Sequence, residues 1–339
     1  MRAVVVGAGV MGAATARALA RAGHEVTVFE QFAFGHARGS SHGESRVFRF
    51  SYPDPAYVAM AVEALPLWRD LESETGEELL RTTGGLDRGK ALDDHVEALQ
   101  ECGAECEVLE ADEACARFPW LGTSDGPVLF QPDGGVIAAD RSVRAFLRSA
   151  AAHGAVLRDE TKVLSVDPAS GGVVVETERG PLRAEAAVVA AGAWAKELVA
   201  PLGVDLPTRP TRETVAYFEL DEPRLAPLVE WGEPTVYALP STSGLLKAAE
   251  HIAGPTTDPD ETGETNDESV RKVSDWVART FPAANPAPRY TETCLYTNTP
   301  DESFVLARHG DVVIGSPCSG HGFKFAPLIG KRLAELATA

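Results

Sequence analysis

Ala3-Val-Val-Val6-Gly7-Ala-Gly9-Val10-Met11-Gly12 stands within a few residues of Met1, and its reading decides the fold. Four apolar residues in a row predict a strand covered on both faces, as in a parallel sheet. The glycines follow at once, and Ala13 to Ala22 is rich in helix formers. A second strand, Glu25-Val-Thr-Val-Phe29, ends at Glu30, eighteen residues beyond Gly12. Strand, glycine turn, helix and acid-ended strand together make a dinucleotide-binding unit. Gly7, Gly9 and Gly12 admit a tight turn and let the backbone of Val10 and Met11 approach a pyrophosphate, whose charge then sits at the positive end of the helix. Glu30 is placed to accept hydrogen bonds from ribose hydroxyls. FAD and NAD both satisfy this pattern, so an NAD-dependent dehydrogenase stays open here.

The rest of the chain sets bounds on partners. Its 339 residues suffice for two domains. With 44% hydrophobic and 24% charged residues, it reads as an ordinary globular protein. A formal charge of −19 repels phosphate backbones and anionic membrane surfaces, so neither nucleic acid nor membrane is an expected partner. The longest apolar run, Ala186 to Ala195, is too short for a membrane span. A signal peptide cut here would destroy the glycine motif, Ala-Thr-Ala is no peroxisomal address, and five cysteines suit reduced thiols; a cytoplasmic monomer is expected.

Further along, Val58, Ala61, Val62, Leu65, Trp68 and Leu71 predict one buried stripe on a helix over Tyr57 to Glu74. Asp140 reads as the cap of a helix running to about His153, with strands at Ala155 to Val166, Gly172 to Thr177 and Ala186 to Gly192. From about Thr208 to Thr293 strand-like pieces alternate with Pro-rich turns, and one helix is expected over Val270 to Phe281. Gly39-Ser-Ser41-His-Gly43 matches the hydrolase pattern G-x-S-x-G, but no apolar strand feeds it. Cys102, Cys106, Cys115 and His95 match no zinc spacing, so no metal is expected.

Several ordered segments resemble the monomeric sarcosine oxidase family. They are the glycine fingerprint; Gly39-Ser-Ser-His42-Gly43-Glu-Ser45-Arg46-Val-Phe-Arg49; Tyr237-Ala-Leu-Pro240; Lys247-Ala-Ala-Glu-His251; Cys294-Leu-Tyr296-Thr-Asn-Thr-Pro-Asp; and Ser319-Gly320-His-Gly322-Phe323-Lys324. The resemblance implies an α/β fold: a Rossmann-like FAD-binding domain (1–82, 138–208 and 300–339) interleaved with a mostly antiparallel-sheet substrate domain (83–137 and 209–299). It implies an FAD-dependent oxidase of a secondary amino acid, N-methylated or cyclic, giving an imine and hydrogen peroxide with molecular oxygen as acceptor.

On the same resemblance Cys294 carries the flavin covalently. Gly39, Ser40, His42, Gly43, Ser45, Arg46, Val163, Gly192, Gly320, Gly322, Phe323 and Lys324 also contact it. Arg49 and Lys324 would hold the substrate carboxylate, His251, Tyr237 and Tyr296 would frame the pocket, and Lys247 and Arg46 would lie near the flavin ring. Two cations fixing a carboxylate supply orientation, and a lysine beside reduced flavin would favour oxygen reduction. Ser45 replaces the family's usual threonine. Glu250 stands where an aromatic is common and is expected to face solvent. An oxidase of a cyclic intermediate in a biosynthetic pathway, as in the nikkomycin-pathway relative, and a non-catalytic flavin-binding protein are the competing readings.

Overall fold

The chain is described from a computed structural model covering residues 1–122 and 124–339. The strand Arg2–Val6 lies in the middle of a six-stranded sheet, between Ala186–Val189 and Glu25–Phe29, and is parallel to both. Val156–Arg158 extends one edge, while Val312–Ser316 and then the antiparallel Val305–His309 extend the other. Alternation along the first strand sends its two faces to different layers. Ala3 and Val5 pack under the helices Val10–Arg21, Ala139–Ala152 and Ala326–Thr338. Val4 and Val6 pack against a three-stranded antiparallel sheet, Val163–Ala169, Gly172–Thr177 and Leu182–Ala184. The fully apolar run of the sequence is the mark of this two-sided cover.

A second large sheet has eight strands, in the order Tyr290–Asn298, Arg209–Phe218, Leu246–Glu250, Val236–Pro240, Leu228–Trp231, Gly85–Gly89, Val128–Gln131 and Glu107–Leu109. All its pairings are antiparallel except that of Leu228–Trp231 with Gly85–Gly89. The helix Asp267–Thr280, capped by the Asn266 side chain, covers one face through Val273, Trp276 and Val277. The uncovered face turns towards the first sheet. Between them a small sheet of Ser45–Phe48, Gly135–Ala138 and Leu80–Thr82 joins the two layers.

Four local expectations are corrected. Ala155 to Val166 is not one strand: Glu160, at φ 45°, breaks it, and its halves enter different sheets. Asp140 caps no helix; its carboxylate accepts from Gly43 N at 2.9 Å, tying the loop before Ser45 to the helix. Val62 is 40% exposed, off the buried stripe of a helix that spans Pro55–Thr75. Glu250 does not face solvent; it is buried and accepts from Ser269 Oγ at 2.6 Å beneath the helix Asp267–Thr280.

Candidate active site

A cavity of about 780 Å³ runs from the glycine turn to the uncovered face of the eight-stranded sheet. At its first end Gly7 has φ +98°, and a Cβ there would meet Ala190 O at 2.6 Å, so the turn and the returning strand lie in direct contact. Ser41 Oγ accepts from Val10 N at the start of the helix. Glu30 lines this end, accepting from Ala8 N at 2.9 Å and Phe32 N at 3.1 Å. Burial pushes its carboxyl up, but hydrogen bonds from His36, Ala8 and Phe32 outweigh that and hold it below the usual range. Val163 and Gly192 line the same end.

The other end is built by strand alternation. Leu246 and Ala248 enter the core under the helix, which leaves Lys247 to face the cavity. Cys294 and Tyr296, two apart, line it together, as do Tyr237 and Leu239 across Ala238. Lys247 Nζ donates to Ser45 O at 3.1 Å. The Arg46 guanidinium donates to Ser45 O at 2.8 Å, Ser40 O at 2.8 Å and His42 O at 2.7 Å, drawing its own loop into a ring around the cation. Burial pushes the Cys294 thiol up to about 11, against the pull of Arg46 and Lys247.

Lys324 Nζ donates to Tyr52 Oη at 2.8 Å and His321 O at 2.7 Å, and its backbone carbonyl accepts from Trp68 Nε1 at 2.7 Å. Burial, with Arg49 nearby, pushes its ammonium far down. The Arg49 guanidinium lies 4.0 Å from the Tyr52 ring centre and 4.8 Å from that of Trp231. His251 sits across the cavity, 5.7 Å from the Tyr296 ring and 3.7 Å from the Glu302 carboxylate. Among the described residues, none of Arg46, Arg49, Lys247 and Lys324 has an acid within 4.0 Å.

Of the site residues expected from sequence, Gly12 and Gly43 do not line the cavity. A Cβ on Gly12 would come 1.9 Å from Gly7 O, so this glycine serves the contact between helix and turn. Gly43 shapes the loop at φ +97°. All the others reach the cavity. Sequence reading missed Tyr52, Trp231, His321 and Glu213. The last accepts from Ala253 N at 3.0 Å and Gly254 N at 2.8 Å and so holds the turn after His251. His321 stood inside a quoted motif, whereas nothing in the local sequence singles out Trp231 or Glu213.

The family described as FAD dependent oxidoreductase matches residues 2–336. Peroxisomal sarcosine oxidase of Homo sapiens is 36% identical, over 99% of this chain and 91% of its own. The chain belongs to the FAD dependent oxidoreductases, in their sarcosine oxidase branch. Monomeric sarcosine oxidase of Bacillus sp. (strain B-0618) is 32% identical over 98% of this chain and 91% of its own. Among solved structures, the open form of NikD, an unusual amino acid oxidase essential for nikkomycin biosynthesis, has a TM-score of 0.89 at 28% identity, covering 99% of this chain and 93% of that one. The α/β fold expected from sequence is therefore the fold of FAD-dependent amino acid oxidases, and an NAD-dependent dehydrogenase is set aside.

The residues of this oxidase fit FAD. Ser45 Oγ and Ser316 Oγ line the cavity, buried and without a partner among the described residues, as groups awaiting a polar ligand would be. Gly320, at φ +73°, would bring a Cβ within 2.1 Å of the Tyr296 ring, so the wall there is closed to any side chain. No helix among the described residues is long and apolar enough to cross a membrane.

Proposed function

We propose that the enzyme oxidises the C–N bond of a small secondary amino acid, N-methylated or cyclic, yielding an imine and hydrogen peroxide. One observation carries this reading: a chain with 50 acidic residues gathers four basic side chains around one cavity with, among the described residues, no acid within 4.0 Å of them. Such charges are costly to bury and are retained where an anion from outside completes them.

Bound FAD supplies a two-electron acceptor for hydride. Arg49 and Lys324, at the end lined by Trp231 and His321, hold the substrate carboxylate and so fix the α-carbon. Tyr237, Tyr296 and His251 frame the substrate and exclude water. Glu30 and the glycine turn take the nucleotide, and Arg46 with the loop from Gly39 to Ser45 borders the ring. Cys294, whose thiol feels the charges of Arg46 and Lys247, is the attachment point for a thioether to flavin. Lys247 serves oxygen: a fixed ammonium stabilises superoxide as it forms, with no proton needing to move. A cyclic imino acid from a biosynthetic route is the second reading, favoured by the likeness to NikD. The reading keeps the enzyme cytoplasmic and monomeric. Five thiols outside any disulfide fit the first, and sedimentation as a dimer would overturn the second.

A peroxide assay across sarcosine, proline, pipecolate and their decarboxylated amines tests the function. The acids should turn over and the amines should not. Arg49→Ala should weaken carboxylate inhibitors by roughly tenfold or more, the worth of a charge-assisted hydrogen bond. Unchanged inhibitor affinity in that variant would remove Arg49 from the site.

Acid precipitation should leave the yellow colour in the protein pellet, and Cys294→Ala should release it to the supernatant. Wild-type protein that gives up all its flavin to acid would end the covalent claim.

Burial, with Arg46 beside it, pushes the Lys247 ammonium down to about 7, against the pull of Cys294, Glu292 and Glu44. The charged form exists below that value, so reoxidation by oxygen should slow as pH rises through about 7. Lys247→Met should slow it by roughly two to three orders of magnitude at low pH and remove the pH dependence, with anaerobic reduction by substrate little changed. Stopped-flow traces showing wild-type reoxidation in Lys247→Met would refute the oxygen role.

A further inference from the structure

Asp87 is 1% exposed in the strand Gly85–Gly89, and among the described residues its partners are neutral donors. Trp231 Nε1 donates to Oδ1 at 2.8 Å, and Gln131 Nε2 donates to Oδ2. Burial pushes the carboxyl up to about 6, opposed by the Arg49 charge and by hydrogen bonds from Trp231, Ser51 and Gln131. A buried carboxylate without an ion-pair partner is expensive, and a core strand has no packing need for one.

Both of its partners lead to Arg49. Gln131 is fully buried, and its Oε1 accepts from Phe50 N at 2.7 Å and Ser51 N at 2.8 Å, the two peptide groups that follow Arg49. Those donors claim the amide oxygen, so the amide nitrogen must face an acceptor. An ionised carboxylate is the side chain that offers acceptors alone. Trp231 presents its ring face to the guanidinium at 4.8 Å while its N–H edge is tied to Asp87. A negative charge on that edge raises the electron density of the face and strengthens its hold on a cation. Tyr52 closes the other side at 4.0 Å.

We propose that Asp87 is the positioning residue of the carboxylate receptor: through Gln131 it fixes the backbone behind Arg49, and through Trp231 the aromatic face on which the guanidinium lies. The inference rests on the reading of Arg49 as the group that binds the substrate carboxylate. It makes a prediction opposite in sign to simple electrostatics. Deleting a negative charge near the site should, by Coulomb attraction alone, tighten an anion. Positioning demands the reverse, because asparagine has one oxygen for two donors, and one of Trp231 Nε1 and Gln131 Nε2 would then face an N–H.

The test is calorimetric binding of benzoate to the holoenzyme. Asp87→Asn should bind it about five- to tenfold more weakly, and the double variant Asp87→Asn/Arg49→Ala no more weakly than Arg49→Ala alone, since Asp87 acts through Arg49. Trp231→Phe keeps a ring under the guanidinium but removes the N–H, and it should also lose affinity, about threefold. That variant decides the matter if Asp87→Asn does not fold. Unchanged or tighter benzoate in Asp87→Asn, losses that multiply in the double variant, or full affinity in Trp231→Phe would each overturn the proposal while leaving Arg49 in its role. Wild-type affinity in Arg49→Ala would instead take down the carboxylate reading, and the positioning role with it.

Discussion

The rest of the structure depends on the desolvation of four basic side chains around one cavity. Each is held by groups that carry no full charge: peptide carbonyls for Lys247 and Arg46, a phenol and a carbonyl for Lys324, and two aromatic faces for Arg49. Neutral acceptors and π-faces position a cation without cancelling it, whereas a carboxylate at contact distance would spend its charge on the protein. The acids that answer this positive field stand one layer back. Asp87 lies behind Trp231, and Glu292 is held by the Tyr217 hydroxyl at 2.5 Å. Both act on the site through field and geometry.

That arrangement sets one face of the eight-stranded sheet across the cavity from the strand ends and glycine turn of the six-stranded sheet. In the six-stranded sheet both faces of Arg2–Val6 are buried, and the cavity lies past the strand ends, where the glycine turn opens. In the eight-stranded sheet the helix Asp267–Thr280 helps to cover one face, and alternate residues on the other include those that line the cavity. Lys247, Cys294, Tyr296 and Tyr237 reach the same space by this alternation alone. A one-residue slip of Leu246–Glu250 would bury the lysine on the face of Trp276 and present an apolar side chain to the cavity. The antiparallel pairings on both sides of that strand exclude the slip.

The sequence made the contiguous features legible. The glycine fingerprint with Glu30, the loop from Gly39 to Arg49, and the segments at Lys247, Cys294 and Gly320 each carry several telling residues within one turn or strand, and the structure gathers them around one cavity. What escaped was single residues delivered by distant strands. Asp87, Gln131 and Trp231 lie far apart in the chain and meet only through the parallel pairing of Leu228–Trp231 with Gly85–Gly89 and the antiparallel pairing of Gly85–Gly89 with Val128–Gln131. Glu250 was misread for a related reason: its charge suggested solvent, and the Ser269 hydroxyl that satisfies it arrives on a helix whose docking no local pattern announces.

Charge balance explains why the substrate end is built from one secure cation and one yielding one. Burial, and after it the field of the Arg49 guanidinium, is the reason the Lys324 ammonium is so weakly held. Two full positive charges in so buried a place would repel each other and the fold would bear the cost. Lys324 can relieve that by giving up its proton, and an arriving carboxylate reverses the balance, since the anion favours the ammonium over the amine. On the proposed reading, binding of a carboxylate completes the charge pattern that the fold alone leaves open.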